Sequence, residues 1–123
     1  ALKRLGVTPT AFAYPFGEVS VEAKRALAKR YAALRAIHPG LVGPGSDLNQ
    51  LPAVGIEGDA GEAQALAWME RAQAEARWLI LYTHDVRERP SPWGCTPSTL
   101  RTLVRAARAK GFEITGLTRG ATP

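Results

Sequence analysis

His84 is the residue of this sequence best suited to acid–base chemistry, and it follows an apolar run. Residues 78–82 are apolar without alternation, which is typical of a strand covered on both faces in a parallel sheet. The chain then turns polar at Thr83, so His84 would stand at the carboxyl end of the strand, where α/β proteins gather their catalytic groups. An imidazole titrates near neutral pH. We therefore predict a catalytic role for His84; the alternative is a solvated or structural histidine at a strand end.

A turn near the start of the chain offers a second kind of chemistry. The apolar residues 11–14, which end at Tyr14, predict a buried strand, and Pro15, Phe16 and Gly17 close it. Proline removes a hydrogen-bond donor from the strand and glycine permits a positive φ, so the backbone must leave the sheet sharply here. Backbone N–H groups are thereby freed, and we predict that they face a ligand.

Three helices are predicted to position these groups, and each has a recognisable start. Ser, Thr and Asp are favoured N-caps, Pro is favoured at the first helical position, and Gly is favoured beyond the last. On these signals the helices run from Ser20 to about Leu34, from a capping box of Asp59 and Glu62 to about Ala76, and from Thr96 and Pro97 to Lys110 and Gly111. Apolar residues at helical spacing indicate one buried face on each helix.

Short strands are predicted between the helices. Besides residues 11–14 and 78–82, they comprise residues 33–37, residues 51–56, and a last strand with Phe112, Ile114 and Leu117. The Pro and Gly within residues 51–56 argue for an edge strand. The alternation of strands and helices predicts parallel strands joined by right-handed crossovers. Residues 1–6 are predicted to end a helix, with Gly6 as its C-cap.

Length and composition describe one domain. The 123 residues suffice for a single core, and a content of 46% apolar and 22% charged residues argues against disorder. The apolar runs are too short to cross a bilayer, and no segment has the pattern of a signal peptide. The one cysteine, Cys95, excludes an internal disulfide.

The net charge of +5 raises the question of a polyanionic partner. The basic residues are spread over the three predicted helices, which indicates solvated helix faces. We therefore predict no nucleic-acid partner. No feature of the sequence selects an oligomeric state.

Three motifs, taken in order, resemble the polysaccharide deacetylase family, the NodB-homology type of carbohydrate esterase. The first is Phe-Ala-Tyr-Pro-Phe-Gly at residues 12–17, and the second is Leu-Ile-Leu-Tyr-Thr-His-Asp at residues 79–85. The third combines Leu-Arg-Thr-Leu-Val at residues 100–104 with Lys-Gly-Phe-Glu-Ile-Thr at residues 110–115. Each motif alone is weak, and the resemblance depends on their order and spacing over nearly all of the chain.

The resemblance implies a fold and an activity. The fold would be α/β, the C-terminal part of a distorted (β/α) barrel with mainly parallel strands and three long helices. Residues 1–123 would be one domain whose N-terminal strands lie upstream of Ala1. The activity would be the removal of N- or O-linked acetyl groups from a polysaccharide or related glycan by a metal-bound water. The family usually works outside the cytoplasm or at the cell envelope.

The resemblance also assigns roles to the matching residues. His84 matches the general acid, which protonates the departing amine or alkoxide. The backbone N–H of Phe16 matches a donor to the tetrahedral oxyanion. Tyr82 stands where the family usually has the Leu that lines the acetyl-methyl pocket. The residues that match the family's substrate-groove wall are Tyr14, Pro15, Phe16 and Gly17.

A divalent metal ion, zinc in this family, is the implied cofactor, but its usual ligands are missing from this sequence. The family has an Asp-Asp pair and a His-x-x-x-His pair, and neither can be built because His38 and His84 are the only histidines. The resemblance therefore implies metal ligands outside this chain, upstream of Ala1. We expect these residues alone to be inactive.

Two further positions depart from the family. Ala13 stands where an Arg is often found two residues before the motif proline. No Asp-Trp pair that would steady the catalytic histidine occurs between Leu34 and Glu57. Asp85 is a poor substitute for this pair, because neighbouring residues of a strand point to opposite faces.

These observations support three hypotheses. The first is an enzyme that deacetylates an acetylated glycan, to which this chain contributes the general acid and the oxyanion side of the site. The second is a catalytically inactive carbohydrate-binding homologue on the same scaffold, favoured by Ala13 and by the missing Asp-Trp pair. The third is a basic nucleic-acid-binding domain, whose affinity would fall steeply with added salt.

Overall fold

The computed structural model describes residues 2–120, in which short parallel strands alternate with helices. The strands are β1 (Ala11–Ala13), β2 (Ala33–Arg35), β3 (Val54–Gly55) and β4 (Leu81–Tyr82). The helices are α1 (Val21–Ala28), α2 (Gly61–Ala74), α3 (Pro97–Ala109) and α4 (Leu117–Gly120), with 3-10 turns at Leu2–Leu5 and Pro15–Gly17. The structure thus combines helices with short pairs of parallel strands, while the α/β barrel stays a prediction.

The strands lie side by side in chain order. β1 pairs with β2 in parallel, and β3 pairs with β4 in parallel. A parallel bridge between Arg35 and Leu51, together with a bond of 3.0 Å from the Ala53 N–H to the His38 carbonyl, joins the two pairs. The next N–H group, that of Val54, turns the other way and donates to Ile80 of the chain leading into β4 at 2.9 Å. The segment containing β3 thus lies between β2 and β4.

The prediction of an edge strand at residues 51–56 is therefore wrong. Proline is excluded from a central strand only where its N–H would be needed in the ladder. Pro52 precedes Val54, which makes the first hydrogen bond toward β4, so the missing donor falls outside the ladder. The position of the proline relative to the pairing, and not its presence, decides the placement of the strand.

One face of the strands packs against the long helices. Leu34 of β2 shares a cluster with Leu27 of α1, and Ile56 shares another with Met69 of α2 and Leu103 of α3. Because side chains alternate along a strand, the intervening residues point to the opposite face. There Ala33, Leu51, Ala53 and Ile80 form a third cluster together with Val42, which lies in the segment between β2 and β3.

Two of the three helix starts predicted from the sequence are confirmed, and the third is wrong. The Ser20 hydroxyl accepts a hydrogen bond from the Ala23 N–H at 3.0 Å, and the Thr96 hydroxyl accepts one from the Thr99 N–H at 3.1 Å. Both predicted N-caps are confirmed. The capping box at Asp59 is wrong, because Ala60 occupies the N-cap position of α2 and no side chain caps it.

Two predicted boundaries are also wrong. α1 ends at Ala28, well before the predicted end at about Leu34, and Leu34 lies in β2, within the strand predicted at residues 33–37. The last strand is absent from the described residues, because residues 112–116 have no strand assignment. The Phe112 N–H bonds to the Ala107 carbonyl at 3.0 Å around Gly111, which caps the end of α3 as predicted. Leu117 then begins α4.

The N-terminal prediction is partly met. Gly6 has a positive φ of 73° and follows a 3-10 turn in place of the predicted helix end. Ala1 and residues 121–123 lie outside the described residues. None of the helices within residues 2–120 combines the length and the hydropathy that a bilayer crossing requires.

Thr96→Ala should lower the free energy of unfolding by about 1 kcal/mol, because the Thr99 N–H loses its side-chain acceptor. The matched change Asp59→Ala should alter it by less than about 0.5 kcal/mol, because the Asp59 side chain caps no helix. Urea unfolding followed by circular dichroism measures both variants. A larger loss for Asp59→Ala than for Thr96→Ala would contradict these helix starts.

Candidate functional site

The parallel arrangement brings the predicted site residues to one edge of the strands. Gly17 follows β1, Ile37 follows β2, Glu57 follows β3 and His84 follows β4. The first two tips are in close contact, because a Cβ atom on Gly17 would lie only 2.1 Å from Ile37 Cγ1. The predicted common edge for the Phe16 turn and His84 is therefore present.

The turn after β1 holds a residue in an unusual backbone conformation. Phe16 has φ 55° and ψ 10°, and Gly17 follows with φ 71°. A positive φ is uncommon for a bulky residue, and such conformations concentrate at functional sites. The Phe16 side chain is 93% exposed, and in the described part of the chain its N–H has no acceptor. The turn thus offers an exposed ring and a free donor.

Tyr14 supports this turn from the helix side of the strands. Its side chain is buried in the cluster with Leu34, and its hydroxyl donates to the Asn49 carbonyl at 2.8 Å. Burial raises the pKa of Tyr14, which the positive charge of Lys24 partly opposes. Tyr14 is therefore an anchor of the turn, and the exposed part of the predicted groove wall consists of Pro15 and Phe16.

The register of β3 and β4 places a carboxylate beside the imidazole. Val54 pairs with Leu81 and Gly55 with Tyr82, so Glu57 and His84, each two residues further on, lie side by side on one face. The distance from Glu57 Oε1 to His84 Nε2 is 4.0 Å. The His84 side chain is 63% exposed and that of Glu57 is 26% exposed. A solvent-facing imidazole therefore has a more sheltered carboxylate as its neighbour.

Gly55 leaves the space that the Glu57 side chain occupies. A Cβ atom on Gly55 would lie 2.9 Å from Cδ and Oε1 of Glu57. The carboxylate thus folds back over the backbone of β3 toward Tyr82, the register partner of Gly55. Burial raises the pKa of Tyr82, and the negative charge of Glu57 and a hydrogen bond to its carboxylate raise it further. Glu57 is therefore shared between Tyr82 and His84.

Arg35 completes this group from the neighbouring strand. Its guanidinium lies over the Tyr82 ring at 4.6 Å from the ring centroid, and Nη1 donates to the Ala36 carbonyl at 3.2 Å. Burial lowers the pKa of Arg35, and the interaction with Tyr82 opposes this shift. We call Arg35, Tyr82, Glu57 and His84 the strand-tip network. It places a cation, a phenol, a carboxylate and an imidazole in one continuous group.

Asp85 is not the partner of His84. This agrees with the prediction from the sequence, because neighbouring residues of a strand point to opposite faces. Its carboxylate accepts hydrogen bonds from the Ser91 N–H at 3.1 Å and from the Ser91 hydroxyl at 2.6 Å, and it pairs with Arg87. The Ser91 hydrogen bonds, followed by the Arg87 interactions, lower the pKa of Asp85. Asp85 therefore organises the loop that follows β4.

That loop returns to the imidazole. The His84 N–H donates to the Trp93 carbonyl at 3.2 Å, and the Trp93 side chain is 61% exposed. The loop at residues 87–95 thus lies against the strand tip that carries His84. Trp93 and Phe16 are thus exposed aromatic side chains that flank the strand tips.

Glu57 and Arg35 were missed at the level of sequence. Glu57 directly follows the apolar residues of β3, just as His84 follows those of β4. The same criterion that selected His84 therefore selects Glu57, provided that β3 is recognised as a central strand. Nothing local distinguishes Arg35 from the other arginines of the chain.

The described residues do not form a metal site. No group of three or more His, Cys, Asp or Glu side chains within residues 2–120 could hold an ion. His38 lies exposed in the loop after β2, where its carbonyl accepts the Ala53 N–H at 3.0 Å. His38 is thus a loop residue, as expected.

Comparison with known proteins gives no match: no family model, no curated protein and no solved structure is significantly similar to this chain.

Glu57→Gln should lower the pKa of Tyr82, because it removes the negative charge that opposes formation of the tyrosinate. The pKa should stay above its ordinary value, since burial is the larger cause of the shift. Ultraviolet absorbance against pH measures the titration, and Tyr82→Phe identifies which part of the signal belongs to Tyr82. Glu22→Gln, on the exposed side of α1, is the control. An unchanged or higher pKa in Glu57→Gln would refute the contact.

Gly17→Ala should destabilise the protein more than Gly111→Ala. Both glycines have a positive φ, 71° and 79°, so each substitution costs about 1–2 kcal/mol of backbone strain. Only Gly17 also faces Ile37, whereas a Cβ atom on Gly111 would meet nothing within 4 Å. The excess loss in thermal or urea unfolding reports the contact between the two strand tips. Equal losses would mean that the tips are further apart.

Proposed function

We propose that this chain forms the general-acid side of a hydrolase site that removes N- or O-linked acetyl groups from a polysaccharide or related glycan. The observation that carries the proposal is that the Phe16 turn and the pair of Glu57 and His84 lie at the same edge of the parallel strands, the edge at which each strand ends. The motif resemblance supports the reaction class. The geometry supports the division of roles among the residues.

His84 is the proton donor in this proposal. Loss of an amine or alkoxide from a tetrahedral intermediate requires a proton, because the unprotonated leaving group is strongly basic. An exposed imidazole at a strand tip can deliver that proton, and such catalysis contributes about 10²–10⁴-fold. Glu57, 4.0 Å from Nε2, orients the ring. In this role Glu57 replaces the Asp-Trp pair by which the family steadies its catalytic histidine.

The Phe16 N–H is the donor to the oxyanion. In the described residues this N–H donates to no backbone acceptor, and it belongs to a residue with an unusual backbone conformation, so no existing hydrogen bond must break before it receives the developing negative charge. A preorganised donor of this kind is worth about 3 kcal/mol of barrier. Exposed apolar side chains at the same edge, Phe16, Ile37 and Trp93, would contact the sugar rings.

The metal that the resemblance implies does not fit the described residues, which supply no group of three ligands. We therefore derive no step through a metal from this chain. The roles of His84, Glu57 and Phe16 concern the leaving group and the oxyanion, and they do not depend on how the attacking water is activated.

Glycan binding without turnover is the second candidate. The exposed aromatic rings of Phe16 and Trp93 favour it, since such rings bind sugars whether or not chemistry follows. Ala13, in place of the family arginine, also favours it. The two candidates differ in one result: only the first releases acetate.

His84→Ala in the full-length protein should reduce acetate release from an acetylated sugar oligomer by about 10²–10⁴-fold, because the leaving group loses its proton donor. An aryl acetate carries a leaving group that departs without protonation, and its hydrolysis should fall by less than about tenfold. Acetate and phenol release are measured in parallel. His38→Ala, the other histidine, is the matched control and should leave both rates unchanged.

Equal losses on the two substrates would contradict the acid role of His84. Binding of the acetylated oligomer without acetate release by the unmodified protein would favour the inactive homologue.

A further inference from the structure

We propose that Arg35 binds a carboxylate group at the strand tips, so that the glycan acted on at this site is an acidic one or the acetate product is held there. This inference rests on the proposed deacetylase function and deepens it. It comes from the unsatisfied charge of the strand-tip network. No motif in the sequence points to it.

The guanidinium of Arg35 has donors to spare. One side-chain hydrogen bond, from Nη1 to the Ala36 carbonyl, engages it, and no carboxylate among residues 2–120 forms an ion pair with it. Arg35 is nevertheless half-buried. A partly buried cation without a counter-ion is costly, because the surrounding protein replaces water poorly. The site therefore favours an anion.

The guanidinium also contacts an aromatic ring. Its position over the Tyr82 ring, 4.6 Å from the centroid, restricts the motion of the side chain. A planar guanidinium with parallel N–H groups matches the two oxygens of a carboxylate. The contact thus holds near the strand tips a group whose shape suits such an anion.

Space for the anion lies beside Arg35. Its register neighbour on β1 is Ala13, an exposed residue with only a methyl side chain. The carboxylate of the network, Glu57, is occupied by Tyr82 and His84. An external carboxylate therefore has both room and charge in its favour.

Two sources share this chemistry. A uronic acid or another carboxylate-bearing sugar of the substrate would place its carboxylate on Arg35 while the acetyl group lies near His84. Acetate released by the reaction would bind in the same way. The experiment must distinguish the two sources.

The test compares Arg35→Met and Arg35→Lys with the unmodified full-length protein on two acetylated oligomers, one neutral and one containing uronic acid. If the sugar carboxylate binds, the ratio of kcat/KM for the acidic over the neutral oligomer should fall about 10- to 100-fold in Arg35→Met. Arg35→Lys, which keeps the charge without the planar geometry, should fall by less. Arg25→Met, on the exposed side of α1, is the control and should keep the ratio unchanged.

If product acetate is the ligand, the ratio should stay constant, whereas the inhibition constant for acetate should rise at least tenfold in Arg35→Met. In either case the Arg35 Nε–Hε signal in the nuclear magnetic resonance spectrum should shift on titration with glucuronate or acetate. An unchanged ratio, unchanged inhibition and no shift would overturn the inference. A different outcome separates the two proposals. If neither oligomer releases acetate but the Arg35 Nε–Hε signal shifts clearly with glucuronate, the proposed reaction is overturned and Arg35 remains a carboxylate site.

Discussion

The parallel pairing of β3 with β4 is the constraint on which the site depends. It sets Gly55 against Tyr82 and, two residues later, Glu57 against His84. A slip of one residue would send either the carboxylate or the imidazole to the helix face, because side chains alternate along a strand. The apolar residues of the two faces prevent this slip, since Ile56 belongs among the helices and Ile80 among the residues of the opposite cluster. The core thus specifies the site.

Within that register, the single carboxylate of the strand-tip network has two partners. Glu57 interacts with both Tyr82 and His84, and Arg35 lies over the Tyr82 ring. Within residues 2–120 no ion pair joins Arg35 to Glu57. In the proposed site Glu57 therefore orients His84, while Arg35 keeps donors for an anion.

Structural features that depend only on residues near one another in the chain were predicted correctly from the sequence. Ser20 and Thr96 cap their helices because the cap is formed by atoms three residues apart. The position of His84 at a strand tip followed from an apolar run that ends abruptly. The placement of β3 depends on partners far away in the chain, and its Pro and Gly suggested an edge. Because that strand was misplaced, Glu57 was missed as the neighbour of His84. Asp59 failed as a cap because the N-cap position of α2 falls one residue later, at Ala60.

The central claim is that Glu57 acts through His84, and a double-mutant cycle on acetate release tests it most directly. The account predicts that Glu57→Gln slows the reaction in the unmodified protein and has no further effect in the His84→Ala background, because an orienting carboxylate has nothing left to orient. Equal fractional losses from Glu57→Gln in both backgrounds would contradict the account and would show that the two residues act independently.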